Sequence, residues 1–86
     1  MTFAQEVIAA MFKITNDERY GFYVAYEPVL IERIIELTEL PFNGESVAKV
    51  KAKLLVLTTP LKGIGVEVVR NGDFISVFGP GVLKHV

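Results

Sequence analysis

The chain has no cysteine, so neither a disulfide framework nor a thiolate metal site is open to it. Secreted domains of this size commonly depend on disulfides, and the cytoplasm is therefore the expected compartment. Imidazole is nearly absent too. The single histidine, His85, is the second-last residue, where neither a catalytic nor a ligand role is expected. The only two serines, Ser46 and Ser76, have no base placed near them by the pattern, which argues against a nucleophilic triad. No basic stretch followed by an apolar core opens the chain, so no signal peptide is expected. Purely apolar runs such as Leu54-Leu55-Val56-Leu57 fall far short of the ~20 residues that cross a bilayer, and no membrane partner is expected. No repeat, low-complexity tract or Pro-rich linker divides the sequence, so residues 1–86 are expected to form one domain.

What the chain does have is apolar surface and sorted charge. A domain of 86 residues buries only about 60–65% of its unfolded surface, yet 51% of these residues are hydrophobic. Either the core is rich, or apolar surface is kept for a partner. From Met1 to Glu45 three cations face eight anions, a balance of −5. From Ser46 to Val86 six cations face two anions, a balance of +4. The formal net charge of −1 thus conceals a basic C-terminal half suited to a polyanion or an acidic partner.

Thr2 is placed to cap a helix running to about Ile14, with Phe3, Val7, Ala10, Met11 and Ile14 at helical spacing. Tyr20 to Tyr26 reads as a strand, with Tyr20, Phe22, Val24 and Tyr26 on one face at period two. The expected role of these tyrosines is packing. Pro28 suits the first turn of a second helix whose core side is Leu30, Ile31, Ile34, Ile35 and Leu37. Glu32, Glu36 and Glu39 take its water-facing side, a more common arrangement than a metal or acid–base cluster. Pro41 ends this helix, and Phe42-Asn43-Gly44 reads as a loop.

Ser46 to Thr58 reads two ways. As a helix, Ser46 caps it and Val47, Val50, Leu54 and Leu57 form a stripe, although Lys51 falls within that stripe. As a strand, Lys49, Lys51 and Lys53 alternate with Val50, Ala52 and Leu54. The end of the chain is plainer. Ile64–Arg70 and Asp73–Gly79 are β-rich runs joined by Asn71-Gly72, which predicts a two-residue type I′ turn pairing Arg70 with Asp73 and Val68 with Ile75. In that hairpin Gly65 lies opposite Phe78 and makes room for it. Lys62-Gly63-Ile64-Gly65 leads into a strand, whereas a phosphate cradle leads into a helix. Val69, Phe74 and Phe78 share one face of the ribbon and Val66, Val68, Ile75 and Val77 share the other. Both faces are apolar, so one needs the core and the second needs another chain or a helix, such as the N-terminal one, to cover it.

With Ser46–Thr58 helical, the order helix, strand, helix, helix, strand, strand resembles a winged helix-turn-helix domain. The resemblance lies in the order of elements and not in a sequence motif. It implies an α+β fold with a C-terminal β-hairpin, a third helix in the major groove of duplex nucleic acid, and a hairpin wing on the backbone. Lys49, Lys53, Lys62 and Arg70 are the matching cations. The sequence departs from the pattern in its longer Leu40–Glu45 loop, its minimal wing, and a third helix without Arg, Asn or Gln, so phosphate contacts are implied and base readout is not. The alternative fold is helix-strand-helix followed by a three-stranded antiparallel meander. Two functions follow: a non-enzymatic nucleic-acid-binding or regulatory protein, or an assembly module that self-associates through Val69, Phe74 and Phe78. Neither needs a cofactor or a metal.

Overall fold

A computed structural model describes residues 2–57 and 65–80. The elements are α1 (Phe3–Asn16), β1 (Phe22–Tyr26), α2 (Glu27–Thr38), α3 (Gly44–Leu57), β2 (Glu67–Asn71) and β3 (Phe74–Phe78). This is the α-β-α-α-β-β order of a winged helix. The meander alternative falls because residues 44–57 are helical. Thr58, Lys62, Ile64 and His85, which carried sequence expectations, lie outside the described residues.

α1 starts where Thr2 predicts, closed by a reciprocal capping box. The Gln5 N–H donates to Thr2 Oγ1 at 3.2 Å and the Thr2 N–H donates to Gln5 Oε1 at 2.7 Å. The helix runs to Asn16, two residues past the expected end near Ile14, and the Thr15 hydroxyl turns inward and donates to the carbonyls of Met11 and Phe12. Val7, Ala10, Met11 and Ile14 are buried on one side.

α2 follows β1 with no intervening turn, and Pro28 sits in its first turn as expected. Its buried stripe is Leu30, Ile31, Ile34 and Ile35. It stops at Glu39, which adopts a left-handed φ of 60° and so plays the role usually given to glycine. The Leu40 N–H then donates to the Ile35 carbonyl at 3.2 Å. Because a non-glycine residue carries strain at such a φ, Glu39→Gly is expected to stabilise the fold by about 0.5–1 kcal/mol. A urea midpoint at or below that of the unaltered chain would contradict this reading of the cap.

α3 departs from expectation at its start. Asn43 caps it, its Oδ1 accepting the Ser46 N–H at 2.9 Å, while Ser46 itself is buried against the core. The connection is therefore residues 39–43, shorter than the Leu40–Glu45 loop read from sequence. Ser46, Val50, Leu54 and Leu57 form the buried stripe. The objection raised by Lys51 dissolves, since it lies on an exposed flank of the helix.

The sheet is antiparallel with strand order β1-β3-β2. Its hairpin register differs from the expected one. Asn71 pairs with Phe74, Arg70 with Ile75, Val69 with Ser76, Val68 with Val77 and Glu67 with Phe78. The turn is thus Gly72-Asp73, and of Asn71, Gly72 and Asp73 only Gly72 has positive φ, at 63°. A single positive φ at the first central position suits a type II′ turn, not the type I′ turn expected over Asn71-Gly72. The slip moves opposing partners by two positions and so leaves each side chain on its predicted face. Gly65 makes room for the Phe12 ring and not for Phe78, since a Cβ there would meet Phe12 Cζ at 2.7 Å.

Val66, Val68, Ile75 and Val77 line the inner face and join the buried sides of the three helices in one core. Tyr23 also faces inward, half-buried, with the Arg33 guanidinium 4.9 Å from its ring centre.

Candidate functional site

The alternation that turns Tyr23 and Ala25 inward turns Phe22, Val24 and Tyr26 outward. Paired with β3 and β2, they form three rows across the sheet. The first row is Phe22, Phe78 and Glu67. The second is Val24, Ser76 and Val69. The third is Tyr26, Phe74 and Asn71. Five of these side chains are large, apolar or aromatic and 40–54% exposed: Phe22, Val24, Tyr26, Val69 and Phe74. The aromatic rings are neighbours, with Tyr26 stacked on Phe74 at 4.4 Å and Phe22 6.0 Å from Phe78. The Tyr20 ring stacks 6.4 Å from Phe22 and carries Arg19 over it at 5.5 Å. Tyr20 and Tyr26 are therefore surface residues that pack on neighbouring rings, while Tyr23 packs against the core.

The structure brings Val69, Phe74 and Phe78 together on this face, as their parity required. The sequence reading missed that β1 doubles its area. The signal was present in the period-two aromatics, but periodicity marks a face without saying which way it points.

The cations are scattered. Arg70 projects from the inner-face register and forms an ion pair with Glu27 Oε2. Lys51 approaches the other oxygen of the same carboxylate at 3.6 Å. Lys49 lies over the Phe3 ring at 5.0 Å and Lys53 is half-buried beside it on the same flank of α3. Lys62 lies outside the described residues. At about 100° per residue, Ala48, Ala52 and Leu55 occupy the outermost line of α3, between Lys51 on one flank and Lys49 with Lys53 on the other. Acidic and basic halves of the sequence thus interlock at Glu27.

Glu27 is also where three elements meet. Its N–H donates to the Asp73 carbonyl in the hairpin turn at 3.0 Å. Its carboxylate is only 13% exposed, and its buried Oε2 lacks a well-formed hydrogen bond, so the charge contact with Arg70 supplies the compensation. A cleft of about 460 Å³ opens beside this contact, lined by Tyr26, Pro28, Val29 and Asp73 with the Glu27–Arg70 pair. No group of three or more metal-ligating side chains occurs among the described residues, and Glu32 and Glu36 face solvent as expected. No helix among the described residues is long and apolar enough to cross a membrane. No protein family model, curated protein or solved structure matches the chain.

Proposed function

We propose that this chain is a non-enzymatic assembly module that buries the outer face of its sheet against another protein chain. The observation that supports this is the face itself. An antiparallel sheet with one side in water normally alternates apolar and polar residues, which leaves the wet side polar. Here the wet side holds two aromatic pairs and two valines, with Ser76, Glu67 and Asn71 as its polar positions. Contiguous exposed apolar surface on so small a body marks an interaction site. Charge chemistry at the cleft does not compete with this reading, because Glu27 and Arg70 neutralise each other.

The test is photo-crosslinking in cells from benzoylphenylalanine placed at Phe74, with the same group at exposed Glu32 on α2 as control. A discrete protein adduct from position 74 and none from position 32 is expected. Diffuse labelling alike at both positions would overturn the reading.

One observation favours duplex nucleic acid as a second reading. In winged-helix order, α3 presents the small residues Ala48 and Ala52 between lysine flanks, a profile that fits a groove with phosphates on both sides. The turn adds little, since it carries Asp73 and Arg70 is engaged by Glu27. Lys49→Glu with Lys53→Glu should weaken binding alike for all sequences. No binding of labelled duplex at roughly 100 µM protein and about 50 mM salt, where electrostatic binding is strong, removes this reading.

A further inference from the structure

We infer that the occupant of the outer sheet face is a second copy of this chain, related by a twofold axis parallel to the strands, so that Arg19 of each copy meets Glu67 of the other. The inference rests on the reading of that face as an interaction surface and adds the partner and its orientation.

Charge and polarity across the rows carry the argument. Glu67 is the only charged side chain in the three rows, at the β2 end of the first. Arg19 lies near the β1 end of the same row, over the Tyr20 ring, which in turn stacks toward Phe22. Neither Arg19 nor Glu67 makes an ion pair among the described residues. Opposite charges at opposite ends of one row are what a twofold contact requires, because residue i must meet j while j meets i. An unrelated apolar partner would leave Glu67 desolvated with no cation assigned to it. A second copy brings one.

Two face-to-face arrangements of identical sheets keep the strands roughly aligned, as packed sheets prefer. With the axis across the strands, the first row lies on the third, and Glu67 faces Asn71 of the second copy while Arg19 is left outside. With the axis along the strands, each row lies on its own counterpart with β1 over β2. Val24 then faces Val69 of the second copy, and Tyr26 brings its hydroxyl to the Asn71 amide. Glu67 lays its methylene stem on Phe22 and extends its carboxylate to Arg19. Ser76 and the two β3 phenylalanines meet their own copies at the axis. Only this second arrangement gives every polar group of the face a partner.

The face is small. Three strands of five residues span roughly 15 by 17 Å, well under the ~800 Å² per partner of a standard interface before the Tyr20 rim is added. A dissociation constant in the micromolar range is therefore expected.

Sedimentation of the full chain from about 1 to about 300 µM tests this, with circular dichroism confirming that each variant folds. A reversible dimer is expected, and Val24→Asp should abolish it. Arg19→Glu and Glu67→Arg should each weaken the dimer at least ~10-fold, since each homodimer then places two like-charged contacts at its rim. An equimolar mixture of these two variants should recover dimers within about threefold of the unaltered affinity, because both rim contacts of the heterodimer are again opposite in charge. A monomer throughout overturns the inference, and a Phe74 crosslink to a different protein would then leave the interaction reading standing. A dimer lost in Val24→Asp but not recovered by the mixture overturns the orientation and keeps the face. A dimer indifferent to Val24→Asp overturns both.

Discussion

Ile75→Ala is expected to cost about 2–5 kcal/mol, the range for truncating a fully buried Leu, Ile or Met side chain. Ile75 has no solvent exposure and sits in β3, which bonds to a strand on each side, opposite Ala25 and Arg70. Neither neighbour can fill the gap: one is a methyl group, and the other is held by Glu27. A domain of this size has a total stability of only about 4–13 kcal/mol, so the variant loses a large fraction of it. Its melting point should fall by roughly 10–25 °C. Val24→Ala, measured at a concentration low enough to keep the chain monomeric, is the control. Val24 is 49% exposed on the opposite face of the sheet and should cost less than about 0.5 kcal/mol. Equal costs at the two positions would mean that Val24 is as buried as Ile75, and the exposed interaction surface would be lost.

Removing the charge of Glu27 while keeping its shape is the second large effect. Glu27→Gln leaves Arg70 facing a neutral amide in a contact that is mostly closed to water, and a loss of about 1–3 kcal/mol is expected. The Arg70 side chain retains 31% exposure and can partly rehydrate, which keeps the loss below that of a fully buried pair. Lys51, with 57% of its side chain exposed, should contribute at most a few tenths of a kcal/mol. A double-mutant cycle with Arg70→Gln isolates the pair, and a coupling of at least about 1 kcal/mol is expected. Zero coupling would show that Glu27 anchors the hairpin only through its backbone bond to Asp73. Hydrogen exchange at the turn separates the two contributions, because loss of the pair should raise exchange at Gly72 and Asp73 more than in α1.

Most of the elements were legible because their signals are local. Thr2 announces a helix start, Pro28 announces a first turn, and Asn71-Gly72 between apolar runs announces a hairpin, whose turn the structure sets one residue later. The buried stripes of α1 and α2 follow the predicted helical spacing, with Phe3 and Leu37 only partly buried and Thr15 added. The faces of β2 and β3 were also determined in advance, since a two-position slip in pairing preserves side-chain parity. Residues 44–57 resisted because their lysines recur at period two while their apolar residues fit a helix. The choice was made by packing, with Ser46, Val50, Leu54 and Leu57 turned together into the core. The Asn43 cap was masked by Ser46, an equally good capping residue three positions later.

The candidate surface divides along the same line. By itself the sequence determined that the outer residues of each strand share a face, that both faces of the hairpin are apolar, and that the two halves are oppositely charged. Parity, composition and net charge are properties of a chain without coordinates. Only the tertiary structure decided that β1 joins β3, which turns two separate apolar stripes into a single face with Arg19 at one corner and Glu67 at the other. It also decided that Arg70 and Lys51 converge on Glu27, withdrawing two cations from the basic half that had suggested a polyanion. The β1–β3 pairing joins residues some fifty positions apart in the chain, and the ion pairs at Glu27 join residues 24 and 43 positions apart. Nothing in the local pattern encodes which distant partner will be met; that depends on how the three helices fill the space behind the sheet.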